Sequence, residues 1–309
     1  MKPPHLSRLH KQVENDVFNA LEPSTQGIYK RQWSQFSLFI SQYLDKKKYE
    51  ASNQDLALYV AHLHNTGIKS GTIRGHLSAI SFYYNTKGLA TPTESFTISK
   101  LLTAYDKKDP PIKTRSSITL QILELLLVPL RSRVYSTFEK KMLTSVFTLM
   151  YYAILRISEV TYTPKNTHNL HAKQITINKY SQQKYMTISF TSFKHKKPGS
   201  KPITITQPSS GICPIKAYSD YCQLRPLKHQ SAFVFMDGSP LTPRYIRSTL
   251  QHLVQMIDLD PDHYNTHSFR FGRATDMARL GYTDIQIAMA GRWSSTAYIK
   301  YIKPYIIVI

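Results

Sequence analysis

Near its end the chain carries side chains whose types and spacing suit chemistry on a phosphodiester. His267 and Arg270 are three residues apart in a helical pattern, so both side chains leave the same face of the helix. Trp293 follows, and two tyrosines, Tyr298 and Tyr301, come after it. A phenol can attack phosphorus, while histidine, arginine and the indole N–H can hold the negative charge that builds on the phosphate oxygens. These residues indicate a candidate site for phosphodiester cleavage.

A second cluster, Leu155-Arg156-Ile157-Ser158-Glu159, lies far upstream. A phosphodiester under attack becomes a doubly charged, five-coordinate species, and a planar guanidinium can hydrogen-bond two of its oxygens at once. We expect Arg156 and Arg270 to supply two such contacts. Two alternatives stay open. Arg156 could form an ordinary ion pair with Glu159, which is compatible with Glu159 orienting it, and Arg270 could bind phosphate without taking part in catalysis.

The elements that position these clusters begin with a run of helices over the first hundred residues. Apolar residues recur there at three- and four-residue steps, which predicts a compact helical bundle. We expect Asn53 to cap the third helix and Ser70 to cap the fourth. In the third helix the residues expected to be buried are Leu56, Leu58, Val60 and Leu63. The other helices are expected to span Val13–Leu21, Pro23–Tyr43 and Thr97–Tyr105.

The pattern then breaks at Pro110-Pro111, which predicts a linker over residues 107–113 between a helical domain at 10–106 and a second domain at 114–309. In the second domain helical patterns are followed by three short, alternating, β-branched segments, which predict a three-stranded antiparallel sheet. The expected fold class is therefore mostly α with a small antiparallel sheet (α+β). The expected helices span 120–127, 135–155, 214–224 and 243–257, and the expected strands 174–178, 185–190 and 202–206.

Charge points to the partner. The formal net charge is +21, and residues 111–309 hold 26 lysines and arginines against 10 aspartates and glutamates. A positive field of that size over one domain favours a polyanion, most simply DNA or RNA, although a solvated basic surface remains an alternative.

The cysteine spacing and the hydropathy of the chain limit which cofactors, membrane segments and cellular compartment we expect. Cys213 and Cys222 give neither a disulfide framework nor the spacing of a zinc site, so we expect a reducing compartment, no metal and no other cofactor. No stretch approaches the length of a membrane span, and the first residues lack the apolar run of a signal peptide. We therefore expect a soluble intracellular protein that is located with DNA, in the nucleus of a eukaryote or the cytoplasm and nucleoid of a prokaryote.

The order of these motifs resembles the tyrosine recombinases of the phage integrase type. In that family an arginine in a Leu-Arg-x-x-Glu setting precedes a lysine on a sheet hairpin, then a His-x-x-Arg, a Gly-x-His/Trp and a tyrosine. The resemblance spans roughly residues 10–303, since the helical first domain matches the family's core-binding domain, but only the second domain has specific motifs. The matching residues here are Leu155 to Glu159, the hairpin Thr191 to Gly199, His267 to Arg270, Gly291 to Trp293, and Tyr301.

The resemblance implies roles for individual residues. Tyr301 would be the nucleophile, with Tyr298, one helical turn earlier, as the competing candidate. Lys194 would protonate the leaving 5′ oxygen, and Lys196, Lys197 and Lys201 are alternatives for it. His267 would assist proton transfer or bind the phosphate. Trp293, which stands where the family more often has histidine, would hydrogen-bond and pack, unless it is simply buried. Other residues expected to contact the DNA backbone, in addition to the three alternative lysines, are Arg74, Arg244 and Arg292.

The resemblance also implies a helical core-binding domain of the SAM-like type and a catalytic domain that cleaves and rejoins DNA through a 3′-phosphotyrosine. Double-stranded DNA would be the partner, and a homo-tetramer on two DNA sites the active assembly, serving recombination or integration of a mobile element. Alternatives are a recombinase-derived DNA-binding protein without activity, a type IB topoisomerase and, with least support, an RNA-binding module. The apolar residues after Tyr301 are shorter than the tail common in the family, and would either pack on a neighbouring subunit or mark a trimmed chain.

Overall fold

The computed structural model describes residues 4–111, 114–164, 168–190, 202–208, 211–293 and 299. The chain divides into two compact units, Met1–Ile112 and Lys113–Ile309. Among the residues that the structure describes, the first unit contains helices without strands, and the second contains helices and one three-stranded antiparallel sheet. The fold class expected from the sequence is thus correct. Within the described residues, none of the helices has the length and apolar character needed to cross a membrane.

The first unit is built from five helices around one apolar core. Trp33 stacks on Tyr83, and Phe36, Ile40, Leu56, Val60, Ile73 and Ile80 are fully buried. The expected helices are present, but the first begins well before Val13. Their bounds are α1 Pro4–Asn19, α2 Pro23–Leu44, α3 Asn53–Asn65, α4 Ser70–Thr86 and α5 Phe96–Lys108. Helix α5 therefore extends two residues into the segment expected to be a linker.

Three expectations within α3 and α4 were wrong in detail. Leu58 is half exposed, because a residue two positions from Leu56 and from Val60 faces the opposite side of a helix. The cap of α3 is Ser52, whose hydroxyl accepts a hydrogen bond from the Asp55 N–H at 3.2 Å. Ser70 is the first residue of α4 and not its cap, and its own N–H donates to the Asp109 carboxylate at 2.7 Å.

The second unit is organised around α7 (Thr137–Tyr152), which is buried along most of its length. Ser136 caps this helix in a reciprocal pair with Glu139, which fixes where it begins. Near its other end Phe147 stacks on Phe269, which belongs to α11 (Ser268–Arg279). The helices are α6 Leu120–Leu127, α7 Thr137–Tyr152, α8 Ile157–Val160, α9 Pro214–Cys222, α10 Pro243–Met256, α11 Ser268–Arg279 and α12 Asp284–Gly291.

The sheet has strand order β1-β2-β3, with all pairs antiparallel. Ile175 pairs with Ile188, and Ile188 pairs with Ile203, so apolar residues face the same side across the three strands. Met186, Ile188 and Ile205 join the core of the unit. The strands span Ile175–Tyr180, Gln183–Ile188 and Ile203–Thr206, each within a few residues of its expected position.

Helix α11 is held unusually close to the segment before α6. The Ile118 N–H donates to the Ser268 carbonyl at 2.9 Å, and the Leu120 N–H donates to the Asp276 carboxylate at 2.8 Å. Between them, a Cβ at Gly272 would meet the Ile118 carbonyl oxygen at 1.6 Å. Only glycine allows this approach, and the approach fixes the helix that carries Arg270.

Candidate active site

The cluster around Arg156 begins where helix α7 ends. Arg156 is the residue before α8, and its N–H donates to the Glu159 carboxylate at 2.8 Å. Its Nη1 lies 3.4 Å from the other oxygen of the same carboxylate. The side chain of Glu159 is buried, whereas that of Arg156 keeps 19% of its surface exposed. Arg156 therefore pairs with Glu159 and still presents part of its guanidinium to solvent.

Arg270, in the first turn of α11, reaches the same region from a different element. It is fully buried, and its two η nitrogens donate to the carbonyl oxygens of Ile154 and Gly291, the latter at 3.1 Å. Arg270 is thus tied directly to the residue two positions before Arg156.

Ile154, whose carbonyl accepts a hydrogen bond from Arg270, has a strained backbone. Ile154 follows α7 with φ of 49°, a left-handed conformation that costs energy for a β-branched residue. The Leu155 N–H returns to the Met150 carbonyl and the Ile154 N–H to the Tyr151 carbonyl, the pattern of a helix end that usually has glycine. The turn directs the Ile154 carbonyl toward Arg270 and Arg292. Backbone strain of this kind is characteristic of functional sites.

Arg292 occupies a place that the sequence did not indicate. It lies in the left-handed region at the end of α12, and its side chain is 7% exposed. Its Nη2 donates to the Glu159 carboxylate at 2.7 Å and lies 3.4 Å from the Ile154 carbonyl, while its Cζ lies 4.3 Å from the Phe190 ring centroid. Burial lowers its pKa, with Arg156 adding repulsion and Glu159 opposing both. The guanidinium expected on a DNA-facing surface is instead enclosed beside Glu159.

Trp293 packs over the site and explains the glycine two residues earlier. Its ring centroid lies 4.9 Å from the Arg270 Cζ, a stacking contact between a cation and an aromatic face. A Cβ at Gly291 would meet the indole at 1.9 Å, so glycine is required for the ring to lie there. Trp293 also packs against the small apolar cluster of Ile154, Ala274, Met277 and Ile287.

His267 precedes α11, and its environment favours the neutral imidazole. Burial lowers its pKa to about 4, and positive charges on Arg270, Arg115, Arg156 and Arg247 act in the same direction. The residue keeps an exposed surface, and the four arginines add to the effect of desolvation, which is the larger cause of the lowered pKa. A neutral imidazole can accept a proton near neutral pH, which a charged one cannot.

Arg115 and Arg247 are members of this positive cluster that sequence reasoning missed. Arg115 is exposed and is held beside the 263–268 segment by the hydrogen bond from the Ser116 N–H to the His263 carbonyl at 2.7 Å. Arg247 is exposed on α10, one turn after Arg244. The three-residue spacing of Arg244 and Arg247 on a helix was the available signal for Arg247. Arg115 had no local signal, because tertiary packing alone brings it to the site.

The remaining expected residues are placed as follows. Arg244 is exposed at the start of α10. Arg74 belongs to the first unit, where both of its η nitrogens donate to the Asp106 carboxylate, at 2.9 and 2.6 Å. The candidates Lys194, Lys196, Lys197, Lys201, Tyr298 and Tyr301 lie outside the described residues.

The described part of the chain offers no group of three histidine, cysteine or acidic side chains that could hold a metal ion. A groove of about 560 Å³ lies elsewhere in the second unit, between α6, α7 and α9, and is lined by residues such as Leu127, Thr144 and Ala217. The chemistry-bearing residues instead surround a charged surface. The guanidiniums of Arg156 and Arg292 pair with the Glu159 carboxylate, and Arg270 shares the Ile154 carbonyl with Arg292. Three guanidiniums and one carboxylate leave a net positive charge that suits a phosphodiester.

Comparison with protein families gives one match, in which the model of the phage integrase family covers residues 130–304. These residues make up more than half of the chain and contain every element of the cluster from α7 to α12. No curated protein sequence matches the chain.

Several solved structures share the fold at low sequence identity. The XerH site-specific recombinase bound to palindromic difH substrate, in a post-cleavage complex, is 14% identical, with a TM-score of 0.62 over 91% of this chain and 74% of that one. The Tn1549 transposon integrase in complex with circular intermediate DNA is 15% identical, with a TM-score of 0.59 over 96% and 95%. A lambda integrase dimer bound to a COC′ core site is 11% identical, with a TM-score of 0.55 over 98% and 81%.

Proposed function

Because this chain belongs to the phage integrase family of tyrosine recombinases, we propose that it cleaves and rejoins double-stranded DNA at specific sites through a 3′-phosphotyrosine intermediate. The family makes it a DNA breaking and rejoining enzyme. The assignment of individual residues to the steps of that reaction is our proposal.

One observation supports the residue assignment most strongly. Arg156 and Arg270, which are 114 positions apart in the sequence, share a single hydrogen-bonded network through Glu159, Arg292 and the Ile154 carbonyl. Two guanidiniums held on one network can bind the same phosphate, and such preorganised charge stabilises the developing negative charge of the transition state.

We assign the bond-making step to Tyr301. Its phenolic oxygen would attack the scissile phosphorus and form a 3′-phosphotyrosine bond while the bond to the 5′ oxygen breaks. Neutral His267 would accept the phenolic proton, because burial and four neighbouring arginines favour its uncharged form. Lys194 would donate a proton to the departing 5′ oxygen. Rejoining reverses these steps, and since the phosphotyrosine bond conserves the energy of the broken bond, no ATP is required.

The DNA backbone would be held by exposed arginines around the cluster. Arg244 and Arg247 on α10 and Arg115 near His267 face solvent and can contact phosphates next to the scissile one. The hairpin lysines Lys196, Lys197 and Lys201 would extend this surface. Arg74 would first have to exchange its Asp106 partner for phosphate, and we propose Arg292 as a support for Glu159 in place of its expected DNA contact.

The assembly that carries out exchange is a further proposal. Exchange of strands between two duplexes needs one active site for each strand that is cut, so we propose a homo-tetramer on two DNA sites, acting in recombination or integration of a mobile element in the compartment that holds the DNA. The related structures are those of a site-specific recombinase and a transposon integrase, each in complex with DNA.

A nicked suicide DNA substrate tests the proposed chemistry. The break releases a short strand, so the enzyme stays covalently attached to the DNA and the adduct is visible on a denaturing gel. We expect an adduct with the wild-type chain in the presence of EDTA, none with Tyr301→Phe, and an undiminished yield with Tyr298→Phe as the matched control. Loss of the adduct in Tyr298→Phe, together with its persistence in Tyr301→Phe, would overturn the assignment.

A further inference from the structure

Arg292 makes the shortest side-chain contact to the carboxylate at the centre of the site. We propose that Arg292 is a positioning residue for strand cleavage: it holds the Glu159 carboxylate so that the Arg156 guanidinium stays available to the scissile phosphate. This inference rests on the proposed role of Arg156 as a phosphate-binding residue. It adds to that proposal a residue that never touches the DNA.

The distances around Glu159 separate a strong partner from a weak one. Its Oε2 accepts from Arg292 Nη2 at 2.7 Å and from the Arg156 backbone N–H at 2.8 Å. Its Oε1 lies 3.4 Å from Arg156 Nη1. Charge-assisted hydrogen bonds between nitrogen and carboxylate are about 2.7–2.9 Å long. Arg292 is therefore the side chain that makes the strong hydrogen bond to Glu159. The side chain of Arg156 makes only a longer and weaker contact.

Exposure follows the same division. The Arg156 side chain retains 19% of its surface, while those of Arg292 and Glu159 retain 7% and 1%. A guanidinium that is partly exposed and weakly paired can turn to a phosphate at little cost. An enclosed one with a short ion pair is expensive to move, because separating a buried pair leaves a charge without compensation.

Arg292 is fixed on several sides, as a support must be. Its backbone closes the end of α12 in a left-handed conformation, with the Trp293 N–H bonded to the Ala288 carbonyl at 2.9 Å. Its guanidinium lies between the Glu159 carboxylate, the Ile154 carbonyl and the Phe190 ring. The Ile154 carbonyl is also a partner of Arg270, so Arg292 is joined to both proposed phosphate-binding arginines.

The consequence of losing Arg292 follows from the burial of Glu159. A buried carboxylate without its main partner would draw in the nearest remaining guanidinium, which is that of Arg156. The phosphate would then compete with Glu159 for Arg156. Binding of DNA, which depends on many backbone contacts, would change little, whereas the rate of cleavage would fall.

The test measures single-turnover adduct formation on the nicked suicide substrate at saturating enzyme, well below the melting temperature of each variant. We expect Arg292→Met to slow cleavage about 100-fold, with Arg292→Lys intermediate and DNA affinity within about 3-fold of wild type. Arg225→Lys is the matched control. Arg225 is equally buried and donates to the carbonyls of His229, Ser231 and Ala232, and we expect its variant to cleave at the wild-type rate.

A second substitution separates positioning from simple loss of structure. Glutamine at position 159 cannot capture Arg156 as a carboxylate does, so Arg292→Lys/Glu159→Gln should cleave as fast as Glu159→Gln alone. Wild-type rates in folded Arg292→Lys, or a double variant whose two losses simply add, would overturn the inference. An absence of adduct with the wild-type chain would instead refute the proposed function, so the two failures are distinguishable.

Discussion

The Nη2 atom of Arg270 donates a hydrogen bond to the carbonyl oxygen of Gly291 at 3.1 Å, which ties the first turn of α11 to the end of α12. The positions of α11, which carries Arg270, and of the Trp293 ring at the end of α12 each depend on a glycine. Gly291 itself leaves room for the Trp293 ring that stacks on Arg270, and Gly272 lets α11 lie against Ile118. The position of the Arg270 side chain therefore depends on two close contacts, at Gly272 and at Gly291, that a residue larger than glycine would not permit.

Gly272→Ala should destabilise the second unit, although alanine is ordinarily the better residue inside a helix. The new Cβ would meet the Ile118 carbonyl oxygen at 1.6 Å, so α11 would have to move. We expect a loss of about 3 kcal/mol in the free energy of unfolding, in the range of overpacked cores. Chemical denaturation followed by circular dichroism measures it.

The control for this substitution is Gly27→Ala, inside α2, where a Cβ would meet nothing within 4 Å. It should stabilise the first unit by about 0.5–1 kcal/mol. If Gly272→Ala behaved like Gly27→Ala, α11 would not be packed against Ile118 as closely as described.

The pKa of His267 should lie well below that of an ordinary histidine. Burial and the charges of Arg270, Arg115, Arg156 and Arg247 lower its pKa from 6.5 to about 4. The unfolded chain then binds a proton at higher pH than the folded one, so this group contributes stability that is complete above pH 6.5 and is lost as the pH falls toward 4. NMR titration of the imidazole C–H signal measures the midpoint, with His267→Gln to assign it.

Two further results bear on His267. Over this pH range the free energy of unfolding should rise less with pH in His267→Gln than in the wild-type chain. This difference is expected only if the pKa of His267 is depressed in the folded state. Inorganic phosphate should raise the pKa of the ring, since a bound anion offsets the four arginines. A midpoint of 6.5 or above without phosphate would mean that the arginines do not surround the imidazole.

DNA affinity should fall steeply with salt, and Arg115 and Arg247 should each account for part of the slope. Loss of one phosphate contact reduces the slope of log K against log salt by about 0.9. We expect that change for Arg115→Ala and for Arg247→Ala, measured by fluorescence anisotropy at several salt concentrations, and a similar loss of affinity on unrelated sequences.

Lys216→Ala is the matched control for the salt measurement. Lys216 is an exposed cation on α9 that pairs with Asp220 and lines the groove away from the cluster. Its removal should leave the slope unchanged. Equal slopes for all three variants would show that Arg115 and Arg247 lie outside the DNA interface.

Much of this architecture could be anticipated because periodicity and capping are local properties. The apolar steps of α2 and the alternation of β2 each reflect one buried face, which the sequence displays directly. Errors arose where a choice depended on neighbours one or two positions away. Ser52 replaces Asn53 as a cap because its hydroxyl can reach Asp55, and Leu58 is exposed because it lies between two residues of the buried face.

The candidate site was anticipated only in part. Arg156, Glu159, His267, Arg270 and Trp293 meet, and each belonged to a recognisable motif. The contributions of Arg292 and of the Ile154 carbonyl depend on two left-handed residues at helix ends, neither of them glycine, and no local pattern marks such a conformation in isoleucine or arginine. The roles of Lys194 and Tyr301 stay predictions.

The most direct test is to identify the amino acid that becomes joined to DNA. The covalent adduct is digested with nuclease and protease, and the peptide that retains a nucleotide is sequenced by mass spectrometry. We predict a nucleotide on Tyr301, bound through its phenolic oxygen to a 3′ phosphate. A nucleotide on Tyr298 or on any other residue, or attachment through a 5′ phosphate, would contradict the assignment of Tyr301 as the nucleophile in a site built by Arg156 and Arg270.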